Sequence, residues 1–94
     1  MNGLNLNKFL LFVLIIVFSI SIFGQNTDQE ANELINKGIE TGKSGRYEEA
    51  LKIFKQAQKL SPKNPAAFNG IGVAYLHLRQ YKDAVENLKK AVEF

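Results

Sequence analysis

The sequence predicts an all-α fold of stacked antiparallel helical hairpins. Three observations carry this: an internal repeat with a period of 34 residues, apolar residues at helical spacing in both copies, and turn-forming residues where the helices should break. A shift of 34 residues places Gly38 on Gly72, Tyr47 on Tyr81, Ala50 on Ala84, Lys55 on Lys89 and Ala57 on Ala91. Conservative pairs lie between them: Leu34 with Phe68, Ile39 with Val73, Leu51 with Val85, Phe54 with Leu88 and Leu60 with Phe94.

Each copy reads as two helices. Ala31, Leu34, Ile35, Gly38 and Ile39 share one face of a first helix, and Tyr47, Ala50, Leu51, Phe54 and Ala57 share one face of a second. Phe68, Ile71, Gly72, Tyr75 and Leu78 make the stripe of a third, and Tyr81, Ala84, Val85, Leu88 and Ala91 that of a fourth. Ser44-Gly45 separates the first two helices. The run Ser61-Pro62-Lys63-Asn64-Pro65 ends the second and starts the third, with Asn64 as N-cap and Pro65 at the first helical position.

A glycine inside a helix costs about 1 kcal/mol relative to alanine, so its recurrence at positions 38 and 72 predicts a close helix–helix approach. Ala50 and Ala84 supply the other small surface, Tyr47 and Tyr81 fill the space beside the turn, and Pro62 stops the second helix where the chain reverses.

These residues resemble the tetratricopeptide repeat. The second copy offers Phe68-x-x-Ile71-Gly72-x-x-Tyr75, then Tyr81, Ala84-x-x-x-Leu88 and Ala91; the first offers Leu34, Gly38, Tyr47, Ala50-x-x-x-Phe54, Ala57 and Pro62. Lys37 and Thr41 depart from the leucine and tyrosine of the family pattern, which makes the first copy the weaker on its first helix. The resemblance covers residues 31–94 and implies a short solenoid of two repeats, 31–64 and 65–94, the second incomplete at its C-terminal end.

The resemblance also implies a binding face, since the first helix of each repeat in this family lines a concave groove. The positions that would face it are Asn32, Ile35, Ile39 and Lys43, then Asn69, Val73, Leu76 and His77. Ile35, Ile39 and Val73 read equally well as packed core. One branch of the family grips the C-terminal carboxylate of chaperones with lysine and asparagine. Here Ile35 and Ile39 stand where the first such pair would be and Gly70 where a second asparagine would be, so that activity is not implied.

Residues Phe9 to Phe23 are nearly all large and apolar, preceded by Lys8 and followed by the polar run Gly24-Gln25-Asn26-Thr27-Asp28. This is the layout of a secretory signal peptide. Its apolar run would span about 22 Å as a helix, short of the roughly 30 Å of a bilayer core, which favours cleavage over anchoring. Cleavage is expected after Gly24; a second register lies after Ser21, with Ser19 two residues earlier. The domain organisation expected is therefore a signal peptide or membrane anchor over 1–24, a linker over 25–30 and the two repeats. The expected location is periplasmic or secreted, the alternative being an anchor in an inner membrane with the repeats outside.

Composition excludes several classes of function. The chain has no cysteine, hence no disulfide, no thiolate metal site, no thiol nucleophile and no lipid-modified signal, and His77 is its single histidine. Twelve basic residues stand against nine acidic ones, for a net charge of +3, and the signs are interspersed, which argues against a nucleic-acid surface. Glu33 and Lys37, Glu48 and Lys52, and Glu86 and Lys90 are spaced as surface pairs on helices. Gly38-Ile39-Glu40-Thr41-Gly42-Lys43-Ser44 approaches a phosphate-binding P-loop but fails on spacing. Three residues separate its glycines where four are required, and a helix precedes it instead of a strand.

The expectation is a noncatalytic scaffold that binds a protein or peptide, with no cofactor, no metal and no nucleic acid, touching membrane only through its N-terminal segment. The second reading is the leading part of a larger protein whose enzymatic or sensory domain lies downstream. Tyr81, Val85, Leu88, Val92 and Phe94 give the last helix an apolar face, predicted to meet more chain or to join a homodimer.

Overall fold

The computed structural model describes the backbone of residues 2–94 and the side chains of residues 7–17 and 27–94. Among these residues the chain forms four helices: α1 (Asn2–Lys43), α2 (Tyr47–Leu60), α3 (Pro65–His77) and α4 (Tyr81–Glu93). α1 packs on α2, α3 on α4 and α2 on α3, with a narrower contact between α1 and α3. The result is two helical hairpins stacked side by side, the solenoid expected from the repeat.

The turns repeat as faithfully as the helices. In the first hairpin Ser44 N donates to Glu40 O at 3.2 Å, Gly45 N to Gly42 O at 2.9 Å and Arg46 N to Thr41 O at 3.3 Å. In the second, Leu78 N donates to Ala74 O at 3.1 Å, Arg79 N to Leu76 O at 3.0 Å and Gln80 N to Tyr75 O at 2.9 Å. These are the same bonds displaced by one repeat, and the long-reaching bond of each set closes a Schellman-type helix end. That motif needs one left-handed residue, which is Gly45 (φ 81) in one copy and Arg79 (φ 62) in the other. The N-terminus of α3 forms as the sequence predicts: the Asn64 side chain accepts from Ala66 N at 3.0 Å and Pro65 follows the cap.

The core lies where the hairpins meet. Ile35, Ala50, Phe54, Ala57, Ala67 and Ile71 are buried together, with Leu34, Leu51 and Tyr75 packed around them. Ile71 is almost wholly enclosed, a burial that stabilises by roughly 1.5–3 kcal/mol. The alanines bring helix backbones close. The recurrent glycines do the same: a Cβ on Gly38 would lie 2.6 Å from the Phe54 ring, and one on Gly72 would lie 2.6 Å from Leu88. Gly38 and Phe54 are one repeat away from Gly72 and Leu88, so both hairpins close on the same contact.

Two features differ from expectation. α1 runs unbroken from Asn2, so residues 25–30 are helix rather than linker. Gln25–Glu30 contains no glycine or proline to break the helix. Asp28 in this stretch accepts a long hydrogen bond from Ser61 Oγ at 3.4 Å. Tyr81, expected to pack like Tyr47, is 60% exposed, because no described helix covers it as α3 covers Tyr47.

The first repeat's departures from the family pattern also find their reason. Thr41, in the register of Tyr75, is buried with its hydroxyl donating to Lys37 O at 2.8 Å, so its polar atom costs little. Lys37, in the register of Ile71, is exposed on the outer side of the array.

The side chains of Phe9 to Val17 are exposed. Among the described residues no helix is long and apolar enough to cross a membrane. The expected cleavage positions, after Gly24 or after Ser21, lie outside the residues whose side chains are described. On the repeats, Lys90 and Glu86 form the expected pair at 3.5 Å, and Lys43–Glu40 and Arg46–Glu49 add pairs at 3.4 and 3.0 Å. All are surface pairs, worth little to stability.

Candidate functional site

A cleft of about 360 Å³ opens between the first helices of the two hairpins, with α2 as its floor. Gly38, Ile39, Gly42 and Lys43 of α1 form one wall, and Asn69, Gly70, Val73, Ala74 and His77 of α3 form the other. Tyr47, Ala50 and Phe54 of α2 lie between them. The cleft exists because its helices meet through small residues. Gly38 and Gly70 approach the Phe54 ring from α1 and α3, and a Cβ at either would come within 2.6 or 2.5 Å of it.

Five of the eight positions expected in the groove line this cleft: Ile39, Lys43, Asn69, Val73 and His77. Ile39 and Val73, half exposed at 43% and 40%, are its apolar walls rather than core. Three do not line it. Ile35 is buried at 6% within the core, one turn below Ile39, where α1 closes on α2. Asn32 lies further along α1, where its Oδ1 accepts from Asn64 Nδ2 at 3.4 Å and helps tie α1 to the α2–α3 turn. Leu76 is exposed outside the cleft lining.

At the mouth of the cleft the rings of Tyr47 and His77 stack with centroids 4.1 Å apart and planes 1° from parallel. This contact joins α2 of the first hairpin to α3 of the second, giving His77 a packing role and an edge position in the cleft. Lys43 is the one formally charged residue in the lining; its ammonium sits 3.4 Å from Glu40, with both side chains largely in solvent. The pair is labile enough to yield to a ligand carboxylate. Asn69 and His77 add neutral hydrogen-bonding groups. The arrangement suits an extended or helical segment that presents apolar side chains with a polar or acidic flank.

The sequence reading missed Gly42, Gly70 and Ala74 as lining residues, and took Tyr47, Ala50 and Phe54 for packing alone. The available signal was the glycines: Gly42 and Gly70 each interrupt helix-favouring sequence without ending a helix, as a close approach or an open slot would require. The P-loop-like run Gly38–Ser44 is the last turn of α1 and the start of the turn after it.

Compared with models of known protein families, residues 43–93, more than half of the chain, match the one described as Tetratricopeptide repeat. The match begins where α1 ends, past Lys37 and Thr41.

Proposed function

The chain belongs to the tetratricopeptide repeat family, whose repeats in general mediate protein–protein interaction, and from that premise we propose that it is a noncatalytic scaffold capturing a protein segment in the α1–α3 cleft. The observation that carries this reading is the exposure of Ile39 and Val73 on facing walls, with Phe54 beneath and Tyr47–His77 at the rim. Apolar side chains held open on a rigid floor, with Lys43, Asn69 and His77 at hydrogen-bonding distance from an occupant's flank, are the equipment of peptide capture.

The test is selection from a displayed peptide library with the full chain as bait. Enriched peptides should carry bulky apolar residues, and Ile39→Glu or Val73→Glu should abolish their binding while far-ultraviolet circular dichroism stays unchanged. Loss of helix along with binding would make these positions core and remove the cleft from the mechanism.

Export belongs to the same proposal. A basic start, an apolar run over Phe9 to Phe23 and a polar, small-residue exit support delivery across a membrane followed by cleavage near Gly24. A second reading, in which the segment remains as an anchor, is favoured by the unbroken course of α1 from Asn2 into the first repeat. Such a helix would hold the cleft close to the membrane surface.

A further inference from the structure

The face of α4 directed away from the cleft repeats a surface that is already occupied once within this molecule. One repeat earlier, Tyr47, Ala50, Phe54 and Ala57 of α2 receive α3; the same register on α4 reads Tyr81, Ala84, Leu88 and Ala91. The residue types persist while the surroundings change. Tyr47 is half-buried beneath His77 and Leu51 is half-buried beside the core, whereas Tyr81 and Val85 are exposed and Val92 is 88% exposed.

What α2 receives is a stripe of small and apolar residues on α3: Ala67, Gly70, Ile71 and Ala74, at spacing i, i+3, i+4 and i+7. Beside it Lys55 Nζ of α2 lies 5.4 Å from the Tyr75 ring centroid, a cation–π contact. Lys89 occupies the register of Lys55.

The opposite end of the stack is built otherwise. In the register of the α3 stripe, α1 carries Glu33, Asn36, Lys37 and Glu40, all exposed. The array therefore has one polar end and one apolar end. A second copy stacked head to tail would lay these charges on Tyr81 and Leu88, removing them from water without partners. A two-fold pairing of α4 with itself would bring together Lys82 and Lys89, which flank the exposed stripe, at a cost in like-charge repulsion.

We propose that α4 is an acceptor face for a helix of a partner protein. That helix carries small and apolar residues at i, i+3, i+4 and i+7 and an aromatic ring at i+8 to meet Lys89. The face is separate from the cleft, and its occupancy does not depend on what the cleft binds.

The probe is a second copy of residues 61–80, appended to the full chain after Phe94, the residue in register with Leu60; the tether supplies an effective concentration in the millimolar range. In mild detergent the tethered copy is expected to dock and to raise the melting temperature by about 5 °C or more. A tail whose stripe is rewritten with the Glu, Asn, Lys and Glu of α1 should give no rise, and Val85→Lys in the body of the chain should cancel the rise given by the native stripe. Equal melting with the two tails, or no rise with the native one, would overturn the proposal. The untethered chain is expected to sediment as a monomer; a dimer dissociated by Val85→Lys would assign the face to a second copy and overturn it as well.

Discussion

A methyl group placed on Gly70 would lie 2.5 Å from the ring of Phe54, so α3 can rest on α2 only because that position has no side chain. Gly38 meets the same ring from α1. The ring is held from two sides by backbone, and this contact sets the separation of the cleft walls.

Gly70→Ala should therefore destabilise the fold by about 1–3 kcal/mol, although alanine is the better helix former. Gly42→Ala should do the reverse. Its nearest neighbour would be Ala50 Cβ at 3.9 Å, an ordinary contact, so the helix-propensity gain of up to about 1 kcal/mol should be realised. Urea denaturation of the two variants measures both signs; stabilisation by both would show that Phe54 yields.

Arg79 has φ 62 where the equivalent residue of the first hairpin, Gly45, has φ 81. A non-glycine residue in this region costs about 1–2 kcal/mol, partly offset by the greater freedom glycine loses on folding. Arg79→Gly should stabilise the chain by about 0.5–1 kcal/mol, and Gly45→Ala should destabilise it by a similar amount. Thermal melts of the pair decide this, and a destabilising Arg79→Gly would mean the arginine makes a contact worth more than its strain.

Ile35 and Ile39 stand one helical turn apart, but the first is 6% exposed and the second 43%. Ile35→Ala should cost about 2–5 kcal/mol, as a truncation in a packed core does. Ile39→Ala should cost much less while weakening peptide binding, so stability and affinity should separate at these neighbours. Denaturation midpoints and fluorescence anisotropy with a selected peptide give the two readouts; equal destabilisation would place Ile39 in the core.

The processed protein should begin near Gln25. Mass analysis of the chain recovered from an exporting host checks this. An intact N-terminus at Met1 in the membrane fraction would instead support the anchor.

The 34-residue period, the helical stripes and the turn residues were enough to place α2, α3 and α4 and both hairpins, because those signals are local and repeat. Asn64 and Pro65 announced the start of α3, and Gly45 the end of α1, through backbone chemistry that a sequence displays directly. Arg79 did not announce the same turn, since its left-handed backbone is imposed by the hairpin around it. The start of α1 was misplaced for a related reason: residues 25–30 are polar enough for a linker and equally free of helix breakers. Periodicity could assign Ile35 and Ile39 to a face of α1 but could not divide them between core and cleft. That division depends on where α3 comes to rest, and Gly70 against Phe54 fixes it. The sequence by itself determined the elements and the repeat, because helix caps, glycines and apolar spacing act within a few residues. Only the tertiary structure decided which apolar residues are covered: Tyr47 and Tyr81 are identical in type and register, and one stacks on His77 while the other faces solvent.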